Sequence, residues 1–291
     1  MIHVDNITFS YDKETVLDEL SFTELEPVIT GLWGRNGSGK TTLMKLLAGY
    51  EEPEHGKIEI QGKRPYNNAE AVQNVCYMQE EHPFSSIWNV HDALRFGKYF
   101  NPNWDQEMSE RLLKTFRLDR KKKITKLSTG MKSALQFIIG ICSNAEITIL
   151  DEPVNGLDAG MRKKMYKVLR ESHEENPRLI LLTSHHIGEI QSIFEKIIVI
   201  KDGNIVFHEL MDETREKGIW LSGNKDKLEE KISAEKILEH ETMGSTMKVM
   251  LDAHYSKEWK EFAHSNGLSI EKAELQDYLL NMTEEEEEMS I

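Results

Sequence analysis

The sequence reads Gly34-Arg35-Asn36-Gly37-Ser38-Gly39-Lys40-Thr41 near its amino end, and this stretch matches GxxxxGK followed by Ser or Thr at every fixed position. Glycines at these spacings let successive backbone N–H groups point inward, and a helix that begins near Gly39 adds the positive end of its dipole. Lys40 then reaches the β- and γ-phosphates of a nucleotide, and the Thr41 hydroxyl ligates Mg²⁺. The stretch predicts a phosphate-binding loop, with nucleotide contacts from Gly34, Asn36, Gly37, Ser38, Gly39, Lys40, Thr41 and Thr42.

The residues around this loop supply the strand and the helix that it needs, which argues against a chance glycine-rich segment. A strand is predicted at 27–33 before the loop and a helix at 40–48 after it, ended by Gly49. Alternating apolar and polar residues at 2–11 predict a half-buried antiparallel strand. Further apolar runs predict strands at 57–61, 75–78, 147–150, 179–183 and 197–207, the last with the hairpin signal Asp202-Gly203 at its centre. The predicted fold class is α/β with an antiparallel β-subdomain.

Two regions depart from this pattern. Between 88 and 145 helical signals dominate, so we expect a helical subdomain set into a core that spans 1–210. Its helices are predicted at 90–100, 108–116 and 129–142. A weaker mixed pattern predicts a small α+β accessory domain at 211–282, with a strand at 247–251 and helices at 229–240, 256–264 and 274–281. Residues 283–291 include five consecutive glutamates and are expected to form an acidic disordered tail.

Charge and composition exclude several classes of protein. The formal net charge is −14, and residues 211–291 carry −10 of it, which argues against nucleic acid as a partner because phosphates would be repelled. No apolar run approaches the roughly 18 to 20 residues that span a bilayer, and the amino end lacks the pattern of a secretory signal. Cys76 and Cys142 are too few for a disulfide scaffold and suit a reducing cytosol as buried thiols.

A second group of polar residues follows two predicted strands. Asp151 comes directly after the strand at 147–150, where it is suited to hold Mg²⁺, and Glu152 is suited to polarise an attacking water in phosphoryl transfer. Acidic pairs also occur as plain strand caps, and the phosphate-binding loop earlier in the chain favours the catalytic interpretation. His185 follows the strand at 179–183 and is suited to hydrogen-bond a γ-phosphate. The neighbouring His186 leaves that choice open by chemistry alone.

Several further motifs resemble those of the ATP-binding-cassette (ABC) ATPases, and the resemblance covers about 1–210. The stretch Leu127-Ser128-Thr129-Gly130-Met131 resembles the signature LSGGQ of that family. Gln79 resembles the Q-loop glutamine, Asn155-Gly156-Leu157-Asp158 the D-loop and Thr183-Ser184-His185 the H-switch. Tyr11 resembles the A-loop aromatic residue that stacks on adenine, although an ordinary strand tyrosine also explains it.

The resemblance implies a P-loop NTPase core that binds ATP and Mg²⁺ and hydrolyses ATP. It implies that Gln79 contacts Mg²⁺ together with Thr41 and Asp151, and that the histidine of the H-switch is His185. Glu152, His185 and Gln79 are then the expected catalytic residues. Tyr11, Ser128, Gly130 and Asp158 join the phosphate-binding loop as expected ATP contacts.

The signature departs from the family pattern at two positions. Thr129 replaces the first glycine and Met131 replaces the glutamine, whereas Ser128 and Gly130 are kept. In the family the signature serine and second glycine contact the γ-phosphate that the other subunit binds. We therefore expect ATP to be enclosed in the usual way, with slower turnover because a glutamine amide is missing beside the start of the helix.

The family architecture also implies partners. The chain has one copy of each motif, so two subunits are needed, either identical chains or a chain paired with a relative. ATP then joins the subunits, and hydrolysis lets them separate. The resemblance further implies an integral membrane permease, which places the chain at the cytoplasmic face of the cell membrane. Phe84 and Trp88 are the first candidates to line a groove for a permease helix, although aromatic residues at helical spacing are more often core.

The transported compound is less constrained by the sequence. The stretches Thr129-Gly130-Met131-Lys132 and Asn101-Pro102-Asn103-Trp104-Asp105, with the small second domain, resemble ATPases of bacterial exporters of antimicrobial and amphipathic peptides, the phenol-soluble-modulin exporters among them. Importer ATPases remain an alternative, as do DNA-repair and translation ATPases that share these motifs. The absence of CxxC pairs, of a second cassette and of basic charge argues against the last two classes. A regulatory cassette without hydrolysis is disfavoured by Glu152 and His185.

Overall fold

The computed structural model describes residues 1–79, 81, 83–232 and 235–284, except for the side chains of Glu230 and Lys231. The chain divides into two compact units, one from Met1 to His208 and one that begins at Glu209. From 285 onward, the predicted acidic tail lies outside the described residues. No helix in the described ranges is both long and apolar enough to cross a bilayer.

The first unit contains a central sheet that confirms the predicted α/β class. The strands up to Leu210 are β1 (Ile2–Tyr11), β2 (Glu14–Glu24), β3 (Ile29–Trp33), β4 (His55–Ile60), β5 (Val75–Met78), β6 (Ile147–Leu150), β7 (Leu179–Thr183), β8 (Lys196–Lys201) and β9 (Asn204–Leu210). Six of them form one sheet in the order β5-β6-β7-β3-β8-β9, and the pairs among β5, β6, β7, β3 and β8 are parallel. Every residue of β3, β6 and β7 is buried, as expected for parallel strands covered on both faces.

The register of this sheet brings four chain segments to one edge. Met78 lies opposite Leu150, Leu150 opposite Leu182, and Leu32 opposite Thr183. Because these strands are parallel, the residues that follow β3, β5, β6 and β7 emerge side by side. The phosphate-binding loop, Gln79, Asp151 and His185 are among those residues.

A second sheet in the first unit is antiparallel, in the order β2-β1-β4. The alternation at 2–11 correctly predicts β1, whereas the same patterns do not predict β2. Ile7 pairs with Leu20 but Phe9 pairs with Leu17, so the register shifts within the hairpin. An irregularity of this kind interrupts the strict alternation by which a strand is recognised in sequence.

Helices cover the sheets and fill the predicted helical region. The helices of the first unit are α1 (Lys40–Leu47), α2 (Ala69–Val72), α3 (Val90–Phe100), α4 (Gln106–Thr115), α5 (Thr129–Cys142), α6 (Ala159–Glu175) and α7 (Ile187–Ile190). Polar side chains cap the starts of α3 and α4, between 88 and 145. The Asn89 side chain accepts a hydrogen bond from Asp92 N, and Asp105 Oδ1 accepts one from Met108 N. The sequence patterns above do not predict α6, which begins after Asp158.

The second unit has the β-α-β-β-α-β order of a ferredoxin-like fold, which confirms the predicted α+β class. Its elements are α8 (Met211–Arg215), β10 (Lys217–Asn224), α9 (Lys225–Ile232), β11 (Ile237–Met243), β12 (Thr246–His254), α10 (Lys257–Asn266), β13 (Ser269–Lys272) and α11 (Leu275–Met282). The sheet order is β11-β12-β10-β13, and the pairs within it are antiparallel. Leu221, Val249 and Trp259 are among the residues of its apolar core.

Two predictions in this unit are wrong. The helix expected at 229–240 ends at Ile232, and residues 237–243 form β11, because pairing of His240 with Val249 in β12 outweighs the local helical preference. Thr283, expected in the disordered tail, is buried and donates its hydroxyl to the Leu279 carbonyl at 2.8 Å. The end of α11 therefore extends the folded part of the chain past the predicted boundary at 282.

Candidate active site

The phosphate-binding loop connects β3 to α1 and is held closely by its surroundings. Gly39 has a φ of 99°, in the left-handed region, and a Cβ on it would lie 2.5 Å from Leu17 Cδ2. A Cβ on Gly34 would lie 2.4 Å from Ser38 Oγ. The loop therefore requires glycine at both positions. Asn36 and Gly37 are exposed in it, and Thr42 is buried in α1.

Two side chains of the loop fit the phosphates of ATP. Lys40 Nζ donates to the carbonyl oxygens of Gly34 at 2.7 Å and Arg35 at 2.8 Å, so its charge lies over the loop. Ser38 Oγ is buried and has no hydrogen-bond partner among the described residues. A cationic amine and an unsatisfied hydroxyl at the amino end of a helix form an anion-binding environment.

Asp151 lies at the centre of a hydrogen-bond network at the sheet edge. Thr41 Oγ1 donates to Asp151 Oδ2 at 2.8 Å, and Thr183 Oγ1 donates to Asp151 Oδ1 at 2.8 Å. Thr183 Oγ1 also accepts a hydrogen bond from Glu152 N at 2.8 Å. Asp151 is only 2% exposed. Two hydroxyl groups, one from the start of α1 and one from the end of β7, thus fix one carboxylate beside the phosphate-binding loop.

This donor set fits Mg²⁺. The Thr41 hydroxyl and the Asp151 carboxylate are oxygen ligands of the type that Mg²⁺ prefers. In the described parts of the chain, no group of three or more His, Cys, Asp and Glu side chains is arranged to hold a metal ion by itself. Such a site suits an ion held by one carboxylate, one hydroxyl and the phosphates of a nucleotide.

Glu152 and His185 meet beside this network. Glu152 Oε1 lies 3.3 Å from His185 Nε2, and Glu152 Oε2 accepts a hydrogen bond from His185 N at 3.4 Å. Glu152 is 9% exposed and has a φ of 46°, in the left-handed region, whereas the His185 side chain is 52% exposed. Non-glycine residues in the left-handed region are strained by about 1–3 kcal/mol and cluster at functional sites. His186 instead precedes α7, and its backbone N donates to Ser184 Oγ.

Tyr77 adds a neutral hydroxyl to the surroundings of Asp151. Burial raises the pKa of Tyr77, and the neighbouring Asp151 carboxylate raises it further. The phenol therefore stays protonated at any physiological pH. It places an uncharged polar group, rather than a second anion, near the carboxylate.

Two other predicted residues occupy the expected elements without direct contacts to Asp151. Gln79 follows β5 and is partly exposed, next to Met78, whose carbonyl accepts from Asp151 N at 2.9 Å. Tyr11 ends β1, is 42% exposed and packs edge-to-face on Phe9 with ring centroids 4.9 Å apart. Its exposed ring is free to accept a stacked base.

The signature and the D-loop form a separate surface, which we call the signature face (Ser128–Gly130 and Asn155–Asp158); it is exposed except at Gly130 and Leu157. The Ser128 and Asp158 side chains cap their own helices, accepting from Met131 N at 3.3 Å and Met161 N at 2.9 Å. A Cβ on Gly130 would lie 2.4 Å from the Gly156 carbonyl oxygen. The two motifs therefore pack backbone against backbone.

A cavity of about 530 Å³ adjoins the helical region and is lined mainly by apolar and aromatic residues. Phe84 and Trp88, the two predicted docking residues, both line it, as do Phe96 and Phe100. The rings of Trp88 and Phe96 are 5.0 Å apart, and those of Phe96 and Phe100 are 4.7 Å apart. Phe96 and Phe100 remain 51% and 59% exposed. An apolar groove with exposed aromatic rings suits a docked helix.

Sequence reasoning missed one participant in the site, Thr183, and one residue in the surroundings of Asp151, Tyr77. Thr183 was expected only as part of the H-switch pattern, yet its hydroxyl joins Asp151 to Glu152 N. The feature of the sequence that could have identified Thr183 is its position as a polar residue at the end of an apolar strand. Tyr77 carries no such signal, because a tyrosine inside a strand is ordinary and only the tertiary fold brings it to Asp151.

Comparisons with known proteins agree with this geometry. A family model described as ABC transporter matches residues 17–155. The ABC transporter ATP-binding protein YtrB of Bacillus subtilis is 28% identical over 75% of this chain and 75% of its own length. An uncharacterized ABC transporter ATP-binding protein of Methanocaldococcus jannaschii is 31% identical over 76% of this chain and 81% of its own length. The Nod factor export ATP-binding protein I of Paraburkholderia xenovorans is 32% identical over 69% and 68%.

Solved structures show the same fold. The dimeric structure of a post-hydrolysis state of the ATP-binding cassette MJ0796, bound to ADP and Pi, has a TM-score of 0.64 with 18% identity, over 72% of this chain and 99% of that one. A structure of cbiO1 from Clostridium perfringens, part of the ABC transporter complex cbiONQ, has a TM-score of 0.60 with 21% identity, over 73% and 89%. These likenesses show the fold, and the sequence relatives show the family. The chain belongs to the ATP-binding proteins of ABC transporters and is an ATPase of that family.

Proposed function

We propose that this chain hydrolyses ATP between two subunits to drive export of peptides or other amphipathic compounds through a separate membrane permease. The observation that carries the hydrolytic part is the connected network at the sheet edge. Thr41, Asp151 and Thr183 are joined by hydrogen bonds, Thr183 binds the backbone of Glu152, and Glu152 meets His185. We call these five residues the sheet-edge site.

Residues of the sheet-edge site, together with Lys40, Gln79 and Tyr11, have roles that their positions suit. Lys40 exchanges its two carbonyl contacts for the β- and γ-phosphates of ATP. Glu152 takes a proton from the attacking water, and His185 orients that water and hydrogen-bonds the γ-phosphate. Thr41, Asp151 and Gln79 would hold Mg²⁺, which would supply positive charge beside the phosphates. Tyr11 stacks on the adenine.

The second half of the ATP site comes from another subunit. Ser128, Gly130 and Asp158 belong to the signature face, where the side chains of Ser128 and Asp158 are exposed to a partner and Gly130 is buried. The chain carries one signature and one phosphate-binding loop, so two chains complete two ATP sites. The dimeric ADP-bound state of the MJ0796 cassette supports this arrangement for a homodimer or a pair of relatives.

The aromatic groove supports a permease as the membrane partner. Its lining residues Phe84 and Trp88 follow Gln79 closely in sequence, so an occupied groove lies near a residue that is proposed to contact Mg²⁺. A cytoplasmic helix of the permease is the proposed occupant, which places the chain at the cytoplasmic face of the membrane. The cbiO1 relative, part of a transporter complex, supports such an assembly.

Export is the direction that the similarities favour. The altered signature and the small second unit resemble peptide-exporter ATPases, and one of the relatives is named for Nod factor export. Export of an amphipathic compound is tested in membrane vesicles that contain the chain and its permease. ATP-dependent accumulation of an amphipathic peptide inside inverted vesicles supports export, and accumulation only in right-side-out vesicles contradicts it.

Hydrolysis is tested by the variant Glu152→Gln, with Glu174→Gln on the surface of α6 as the matched control. Removing the base should lower kcat by at least about 100-fold, in the range that general bases contribute, while ATP binding remains. Measured by phosphate release and by fluorescent-nucleotide binding, the control should match the unmodified chain. Full activity in Glu152→Gln would remove the proposed mechanism.

A further inference from the structure

Arg162 lies between the D-loop and the short helix that follows His185. Its Nη1 donates to the Leu157 carbonyl oxygen in the D-loop at 3.1 Å. Its Nε and Nη2 donate to the two carboxylate oxygens of Glu189 in α7, at 2.9 Å and 2.6 Å. The Arg162 side chain therefore joins the D-loop to the segment that follows His185.

The Glu189 end of this connection leads directly to His185. Glu189 N donates to the His186 carbonyl oxygen at 2.9 Å, within the single turn of α7. His185 is the residue before that turn, and both its ring and its backbone N meet the Glu152 carboxylate. A movement of Glu189 therefore shifts the backbone from which His185 reaches the site.

The other contact of Arg162, with the Leu157 carbonyl oxygen, connects it to the signature face. Leu157 lies in the D-loop between Gly156, which packs on Gly130, and Asp158, which caps α6. Arg162 is anchored in α6 by the bond from its backbone N to the Asp158 carbonyl at 2.9 Å. A cleft of about 250 Å³ has Asn155, Arg162, Glu152 and His185 among its lining residues. The D-loop and the sheet-edge site thus face one cleft that Arg162 helps to form.

The chemistry of arginine suits a connection of this kind. A planar guanidinium presents its N–H groups in a fixed fork, so it holds a carboxylate and a carbonyl at set angles, which a lysine ammonium does not. The hydrogen bond between the pair raises the pKa of Arg162 and lowers the pKa of Glu189, so both remain charged around neutral pH. Ion pairs near the surface add little to folding stability. This pair instead fixes the position of the D-loop relative to α7.

We propose that Arg162 is a positioning residue for ATP hydrolysis, which holds the D-loop and the His185 segment in one fixed arrangement. When a second subunit binds the exposed D-loop, the hydrogen bonds of Arg162 to Leu157 and Glu189 couple the position of the D-loop to the positions of His185 and Glu152. This role rests on the proposed function of Glu152 and His185. Arg162 acts in this proposal through Glu189 and the D-loop and not through the phosphates or the attacking water.

The experiment compares Arg162→Ala, Glu189→Ala and the double variant in the purified full chain. A small misplacement of catalytic groups costs up to roughly 100-fold in rate, so each single variant should lower kcat by about 10- to 100-fold. The KM for ATP should stay within about twofold, because Lys40 and the phosphate-binding loop are untouched. The double variant should be no slower than the slower single variant, since both changes break the same connection.

Arg170→Ala is the matched control. Arg170 lies on the same helix and pairs with Glu174 at 3.6 Å, but both side chains are mostly exposed and remote in sequence from the D-loop. Its kcat, its KM and its thermal midpoint should equal those of the unmodified chain. Arg162→Lys keeps the positive charge and the helix but loses the planar set of N–H donors of the guanidinium. This variant should therefore fold normally and hydrolyse ATP more slowly than the unmodified chain.

The outcomes separate this proposal from the one on which it rests. An Arg162→Ala or Arg162→Lys variant with the kcat of the unmodified chain overturns the positioning role. So does a loss of kcat that is matched by an equal rise in KM, or additive losses in the double variant. Hydrolysis that persists in Glu152→Gln instead removes the proposed function, whatever the Arg162 variants do.

Discussion

The sheet-edge site and the signature face both belong to the first unit, but they satisfy their polar groups in different ways. At the sheet-edge site, Asp151 is almost fully buried and is held by hydroxyls of Thr41 and Thr183. On the signature face, the side chains of Ser128 and Asp158 are exposed and accept hydrogen bonds from the starts of their own helices. Buried polar groups are costly when unpaired, whereas exposed ones are hydrated. The first region is therefore pre-assembled within one chain, and the second is available to a partner.

After Glu152→Gln, the largest expected effect comes from breaking the sheet-edge site at Thr183. Thr183→Val keeps the shape of the strand but removes the hydroxyl that bonds Asp151 and Glu152 N. We expect kcat to fall by about 30- to 100-fold and the free energy of unfolding to fall by about 1–3 kcal/mol, because buried partners are left unsatisfied. Phosphate release and urea unfolding measure the two effects.

Thr148→Val is the matched control for this change. Thr148 is a fully buried threonine in the neighbouring strand β6, and its hydroxyl has no hydrogen-bond partner within the described chain. The same substitution should therefore leave kcat unchanged and the free energy of unfolding unchanged or slightly higher. Equal losses in both variants would mean that buried threonines matter here for packing and not for the Asp151 network.

The next largest effect, on ATP-dependent dimerisation, is expected from a substitution on the signature face. Gly130→Ala adds a Cβ within 2.4 Å of the Gly156 carbonyl oxygen, so α5 and the D-loop must separate. Since the phosphate-binding loop is untouched, one chain should still bind ATP with unchanged affinity. ATP-dependent dimerisation, measured by light scattering with Glu152→Gln as the background, should weaken by about tenfold. Gly140→Ala in the same helix meets only ordinary contacts at 3.4 Å and should dimerise normally.

How far the site follows from sequence differs between these two regions. The loop at 34–41 was predictable because its function depends on local glycine spacing, and Asp151 was predictable because it ends an apolar strand. The Thr183 network and the Arg162–Glu189 pair were not, since parallel register and non-local packing bring those residues together. The wrong helix at 229–240 has the same cause: pairing with β12, not local preference, makes 237–243 a strand.

A substitution at Glu24, with a smaller effect on kcat than the changes above, tests whether buried carboxylates in this unit differ by their partners. Glu24 is buried like Asp151, but it accepts from Lys196 Nζ at 2.7 Å and Thr30 Oγ1 at 2.9 Å, and it lies 3.2 Å from His208 Nε2. Burial alone raises the pKa of Glu24, yet hydrogen bonds from His208, Lys196 and Thr30 outweigh it, so the pKa lies below its ordinary value. Glu24→Gln should lower the free energy of unfolding by about 3 kcal/mol at neutral pH, with kcat little changed.

The pH dependence gives the sign of this contribution. Because the pKa of folded Glu24 is depressed, its stabilisation is present above the unfolded value and is lost as the pH falls through the folded value. The difference in unfolding free energy between the unmodified chain and Glu24→Gln should therefore shrink as the pH is lowered from neutral into the acid range. A difference that stays constant or grows on acidification would contradict a depressed pKa.

The smallest expected effect concerns the altered signature itself. Met131 is half-buried at the start of α5, and its sulfur lies 3.5 Å from Lys122 Nζ. A thioether is a weak acceptor, whereas a glutamine amide accepts strongly and also donates. Met131→Gln should therefore strengthen polar support at the start of the signature helix and raise kcat by about two- to fivefold, with ATP affinity unchanged.

Met131→Leu isolates the acceptor from the shape of the side chain. Leucine fills nearly the same volume as methionine but has no sulfur. The Met131→Leu variant should therefore hydrolyse ATP at or slightly below the rate of the unmodified chain. If glutamine and leucine give the same kcat, the contact with Lys122 has no part in turnover, and the slow step lies elsewhere. If glutamine alone is faster, the signature face limits the rate even when the sheet-edge site is complete, because closing the partner on an exposed surface is then slower than the chemistry.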